Sequence, residues 1–253
     1  MIACTVMLNG HTLGDHEGGF TPFSFDITPY IVEKGDNVVT VQLDSTERPD
    51  IPPYGGVVDY LTFGGIYRDV WLRYVDPCEI TDVFVQPRNV LGDDLEVGFD
   101  IRVVNRHMEG FKGRVRIALA DSEGQHLARY ESEFTINPSD SLSLNGHFSR
   151  TDLAAAPVLW SLDNPALYHL EVGIARQDGT GLRPLDYVKK RFGFREAQFR
   201  EDGGFYLNGE HIKIMGLNRH QTYPYIGAAA PARLQRRDAD IIKYELGCNL
   251  VRT

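Results

Sequence analysis

Residues 96–103 read Glu96-Val97-Gly98-Phe99-Asp100-Ile101-Arg102-Val103, and this stretch decides the fold. Its apolar members fall on every second position, so a strand turns all of them to one face and the charged ones to the other. Working outward, Val115, Ile117 and Leu119 repeat the alternation. Further strands are expected near 128–136, 141–148, 168–175 and 187–192, with turn signals between them. About seven short strands over about 110 residues describe an immunoglobulin-like β-sandwich. Cys4, Cys78 and Cys248 stand far apart, with no CxxC and no closely spaced metal pair. Neither a disulfide scaffold nor a zinc knuckle is expected.

Upstream, Asn9-Gly10 separates Val6-Met7-Leu8 from His11-Thr12-Leu13. Asn and Gly tolerate positive φ at both turn positions, which predicts a tight hairpin. Phe23, Phe25 and Ile27 alternate with Ser24 and Asp26, Asn37 to Leu43 forms another strand, and strand texture returns from Asp69 to Val75. Between them Asp44 to Tyr67 is a long loop rich in Pro and Gly. Loops of that length are usually functional or disordered, and Ile51, Tyr54, Val57, Val58, Tyr60, Leu61 and Phe63 favour order.

Downstream of Arg195 the texture changes. Asn208-Gly209 marks a second hairpin. Pro231 suits the first turn of a helix, Leu234, Ile241, Ile242 and Leu246 share one helical face, and Gly247 is placed to end it. Asn249 to Arg252 begins a strand. Strand, helix and strand make the opening unit of an α/β barrel or sheet. One such unit leaves an unpaired edge and an uncovered apolar face, so the chain is expected to be a piece of a longer protein.

Twenty-six Lys and Arg against 35 Asp and Glu give a net charge of −9 over 253 residues. That balance does not suit a nucleic-acid backbone or an anionic membrane surface. With 42 % hydrophobic and 11 % aromatic residues the chain can bury a core, which excludes a disordered class. No apolar run approaches the roughly 18 residues of a membrane span.

Four ordered stretches resemble the family-2 glycoside hydrolases: β-galactosidases, β-glucuronidases and β-mannosidases. They are Val6-Met7-Leu8-Asn9-Gly10 with His16-Glu17-Gly18-Gly19-Phe20-Thr21-Pro22-Phe23, and Asp59-Tyr60-Leu61-Thr62-Phe63-Gly64-Gly65-Ile66-Tyr67-Arg68-Asp69-Val70. Leu159-Trp160-Ser161 with Asn164-Pro165 and Gly193-Phe194-Arg195 is the third. Leu207-Asn208-Gly209, Gly216-Leu217-Asn218-Arg219-His220 and Asn249-Leu250-Val251-Arg252 complete the set. Residues 51–69 and Gln221-Thr222-Tyr223-Pro224 are most similar to the β-galactosidase branch. The resemblance implies a mainly β chain in three parts. Residues 1–77 form a jelly-roll sugar-binding domain lacking its first strands, residues 78–194 an immunoglobulin-like sandwich, and residues 195–253 the first βα unit of a truncated (β/α)8 barrel.

A retaining glycosidase holds two carboxyl groups about 5–5.5 Å apart. In the family both are glutamates on later barrel strands, so the resemblance implies no catalytic residue within this chain, no metal ligand and no evident cofactor. The local acid pairs Asp93-Asp94, Asp121/Glu123, Glu131/Glu133 and Glu201-Asp202 are read as solvated charge. Three residues are expected to bind a carbohydrate substrate. His220, beyond the first barrel strand, is a sugar contact by resemblance; its bland alternative is a satisfied structural histidine. Arg219 beside it is read as structural, in a buried ion pair. Arg252, at the end of the second barrel strand, supports the site by resemblance. Asp59 accepts hydrogen bonds from sugar hydroxyls by resemblance, against the alternative of an exposed loop acid. In some β-galactosidases the matching position also helps hold a monovalent cation; the residues flanking Asp59 match only in part. His16, Glu17 and Trp160 are read as structural. Assembly into a homo-oligomer, and the compartment, stay open.

Overall fold

Asn9 and Gly10 adopt φ values of 52° and 82°, the left-handed pair that a two-residue type I′ turn requires. They join β1 (Ala3–Leu8) to β2 (His11–Glu17), and β3 (Val39–Asp44) pairs antiparallel with the other edge of β1. The Asn9 side chain ties the turn down: Oδ1 accepts Val38 N–H, and Nδ2 donates to Tyr30 O, both at 2.9 Å. Cys4, Val6 and Leu8 alternate into the interior. The computed structural model describes residues 2–52, 54, 63–201 and 203–253. These divide into two compact units, residues 1–71 with 215–253 and residues 72–214.

Two expected strands do not form ladders, one in the first unit and one across the boundary between the units. Residues 23–27 run without strand pairing. Their aromatics stack instead: Phe23 lies on His16 with centroids 4.2 Å apart, and the Phe25 ring fills the space beside Gly14. Residues 69–75 likewise pair with nothing in a sheet, and Val70, Trp71, Leu72 and Tyr74 stand exposed. A strand exists through its partner, and alternation alone supplies none.

The second unit carries the sandwich. One sheet has the order β4 (Cys78–Arg88), β5 (Glu96–Asn105), β8 (Ser141–Ser149). The other runs β10 (Gly181–Phe192), β9 (Tyr168–Asp178), β6 (Phe111–Asp121), β7 (His126–Ile136). All pairings are antiparallel. The inward set of β5 (Val97, Phe99, Ile101 and Val103) meets Val115, Ile117 and Leu119 of β6 and Leu170, Val172 and Ile174 of β9 in one core. Asp186 closes the β4–β10 side by accepting Ile80 N–H at 2.8 Å. Buried Glu79 is neutralised by Arg73 at 2.7 Å and by Arg106. Cys78 is fully buried, and burial pushes its thiol up to about 11.

A three-stranded sheet, β11 (Ala197–Phe199), β12 (Phe205–Leu207), β13 (Glu210–Ile212), belongs to the same unit. Its Asn208-Gly209 turn repeats the left-handed pair at 52° and 80°. Asn208 accepts Glu196 N–H and donates to Trp160 O, each at 3.0 Å, while the Arg195 guanidinium lies 4.8 Å over the Trp160 ring. Trp160 therefore anchors the hairpin to the sandwich, the structural role read from its sequence context. No helix among the described residues is long and apolar enough to cross a membrane.

Candidate functional site

The first unit ends in β14 (Gly216–Asn218), α1 (Ala232–Asp240) and β15 (Leu250–Arg252). β14 and β15 pair in parallel with Asn218 opposite Arg252. Gly216 is required there, because a Cβ would sit 2.7 Å from Leu250 O. Pro231 caps α1, and its carbonyl accepts Leu234 N–H at 2.9 Å. A π-helical turn over Ile241–Glu245 extends α1, and Gly247 at φ 66° ends it. Cys248 N–H returns to Ile242 O at 2.9 Å and closes the stop, one residue wider than an ordinary Schellman bond because the last turn is π-helical.

Arg219 N–H donates to Arg252 O at 2.8 Å, so the ladder runs one residue beyond β14. His220 follows immediately. The structure thus places His220 and Arg252, both exposed, at the C-terminal end of the same parallel strand pair. In barrel enzymes that end of the strands forms the active face. Asp59 lies outside the described residues.

Arg219 is partly buried and bonds to α1. Its Nε donates to Asp238 Oδ2 at 2.7 Å, Nη2 reaches the same oxygen, and Nη1 donates to Gln221 Oε1 at 3.0 Å. The Tyr223 hydroxyl donates to Asp238 Oδ1. That bond, with Arg219 and against partial burial, holds the Asp238 carboxyl below the usual carboxylate range and pushes the Tyr223 hydroxyl up. The ion pair expected for Arg219 is present. Its acceptor, Asp238, carries no sequence signal of its own, because a single acid on a short helix does not name its partner. Beyond Tyr223 the chain doubles back through reciprocal backbone bonds with Gly227 at 2.9 and 3.0 Å. The Phe63 ring packs on Gly227, and Arg68 donates to Ala228 O at 2.6 Å. Tyr54 is exposed, and Tyr60 lies outside the described residues.

Asp202 of the Glu201-Asp202 pair lies outside the described residues, and the other acid pairs lie at or near the surface. Glu131 and Glu133 pair with Arg114 and Arg116 across β6 and β7, Asp121 receives the N–H groups of Glu123 and Gln125 in a turn, and Asp94 accepts Asn89. His16 contacts Gly18 O at 2.9 Å and Glu17 pairs with Arg48 at 2.9 Å. Among the described residues no group of three His, Cys, Asp or Glu is arranged to hold a metal ion.

This is a mainly β chain of sandwich-like sheets. Residues 78–195 match the family model described as Glycosyl hydrolases family 2. A β-galactosidase of Thermoanaerobacter pseudethanolicus is 39 % identical over 98 % of this chain and 32 % of its own length. One of Thermoanaerobacterium thermosulfurigenes is 39 % identical over 100 % of this chain and 34 % of its own. Among solved structures, a Bacteroides uniformis β-glucuronidase matches with a TM-score of 0.88 at 29 % identity, over 99 % of this chain and 30 % of that one. The chain belongs to the family-2 glycosyl hydrolases. It spans about a third of the length of the curated relatives it matches.

Proposed function

We propose that this chain is the front of a retaining β-glycosidase that hydrolyses terminal β-galactosides. The carrying observation is that His220 and Arg252 both stand at the C-terminal end of one parallel strand pair, with Asn218 opposite Arg252 and Arg219 N–H bonded to Arg252 O. Residues 195–253 then open a (β/α)8 barrel, in which strand ends carry the chemistry. His220 donates a hydrogen bond to a sugar hydroxyl and gains strength as charge develops. Arg252 supplies positive charge that keeps a neighbouring carboxylate nucleophile ionised. Asp59 completes the subsite as an acceptor of sugar hydroxyls. The names of the 39 % identical relatives support galactose as the sugar.

The test is the full-length gene product against p-nitrophenyl β-galactoside. His220→Ala and Asp59→Ala each lower kcat/KM at least about tenfold with Tm held, the scale of a lost transition-state hydrogen bond. Unchanged kinetics in either variant removes that residue from the site. The 253-residue chain alone is expected to turn over nothing, because in the family both catalytic glutamates lie on later barrel strands. Turnover above a mock preparation refutes that. A second reading, a β-glucuronidase, is favoured by the B. uniformis match; preference for p-nitrophenyl β-glucuronide over the galactoside selects it. Galactose binding by the chain without any turnover from the full gene product selects a binding module.

A further inference from the structure

We propose that Asp238 is a positioning residue for the sugar site, fixing the strand-end segment so that His220 faces the substrate. The inference rests on the reading of His220 as a sugar contact. Residues 217–223 alternate strictly in exposure. Leu217, Arg219, Gln221 and Tyr223 are half-buried, and Asn218, His220 and Thr222 are exposed. The polar members of the inward set converge on one carboxylate. Arg219 grips Asp238 Oδ2 with two nitrogens, Tyr223 occupies Oδ1, and the remaining Arg219 nitrogen crosses to Gln221. His220 is thus bracketed. The residues before and after it share one guanidinium, and Tyr223, two residues beyond Gln221, ends on that guanidinium's carboxylate.

The post that bears the carboxylate is itself fixed. Gln235 Nε2 donates to Ala230 O at 3.1 Å at the start of α1, and Cys248 N–H closes the far end of its continuation. Charge-assisted hydrogen bonds to a group on a regular element give the geometric control that catalytic side chains need. Turning His220 inward requires the alternation to slip by one residue, which breaks the bonds at 219, 221 and 223 together. Asp238 lies on the inward side with both oxygens engaged, so its contribution is placement of His220 and not contact with the sugar.

The experiment is a kinetic double-mutant cycle in the full-length gene product with p-nitrophenyl β-galactoside, using Asp238→Asn, Tyr223→Phe and His220→Ala singly and combined. Misplacing a contact by about 1 Å costs up to about 100-fold, so Asp238→Asn is expected to lower kcat/KM about tenfold or more, mainly in kcat. Tyr223→Phe, which removes one prong, gives a smaller loss in the same direction. In the His220→Ala background neither substitution costs anything further. Equal losses in both backgrounds, or losses that track the folded fraction, overturn the inference. If Asp238→Asn fails to fold, the Tyr223→Phe cycle decides alone. A full-strength His220→Ala enzyme, or an inactive parent, sinks the underlying reading and this inference with it. A tenfold His220→Ala effect beside a silent Asp238→Asn sinks the inference alone.

Discussion

Strands β3 and β5 read alike and end differently. Both alternate apolar with polar residues, yet β5 buries Val97, Phe99, Ile101 and Val103 almost completely, while β3 leaves Val39 58 % exposed and Val41 and Leu43 half-buried. Alternation decides which face is apolar; a second layer decides whether that face is worth anything. At about 25 cal/mol per Å² of apolar area removed from water, the sandwich holds most of the packing energy. The other unit holds His220 and Arg252. Stability and the candidate chemistry are therefore carried by different parts of the chain.

The widest contrast is in core truncation. Phe194 is fully buried, with its ring 4.8 Å from Tyr168 and 5.3 Å from Phe192. Phe194→Ala is expected to cost about 4 kcal/mol in urea denaturation, whereas Val39→Ala stays within about 0.5 kcal/mol. A large Val39→Ala cost would mean that β3 is covered after all. Overpacking is the next step down. A Cβ on Gly146 would stand 2.7 Å from the Phe99 ring, so Gly146→Ala should lower stability by about 2 kcal/mol. Full stability would show that Phe99 shifts freely.

In the first unit the sign reverses. Tyr225 is a bulky residue at φ 71° and is fully exposed. Relieving that backbone, Tyr225→Gly should gain up to about 1 kcal/mol in this chain. A loss instead would reveal packing on the Tyr225 ring. The smallest effect is the one acid exposes. The Asp238 carboxyl, held low first by Tyr223 and then by Arg219, adds stability above its unfolded value near pH 4. That contribution fades as pH falls through the lower folded value. Hydrogen exchange at residues 217–223 should accelerate there, and Asp238→Asn should remove the pH step. An unchanged step in that variant assigns it to another group.

Much of this was legible beforehand for identifiable reasons. Asn9-Gly10 and Asn208-Gly209 announced their turns because few pairs of residues accept two left-handed conformations in succession. The sandwich was legible because strands such as β5, β6 and β9 alternate buried and less buried residues with period two. Gly247 announced the helix stop. The strands expected at 23–27 and 69–75 were not realised, since a ladder needs a partner that local sequence cannot name. The site was legible only as positions. His220 and Arg252 are 32 residues apart in number, and the parallel register that sets Asn218 opposite Arg252 brings them to the same strand end. Asp238 was invisible because a single acid on a helix says nothing about what will reach it.

The state of the thiols has a practical consequence. Cys4 and Cys78 are buried, and burial raises both thiols, leaving them protonated and shielded at neutral pH. Cys248, partly accessible, sits two residues before β15. A maleimide dye added at neutral pH should therefore attach at one position without any engineering. It would give the chain a built-in optical reporter beside the strand that ends in Arg252.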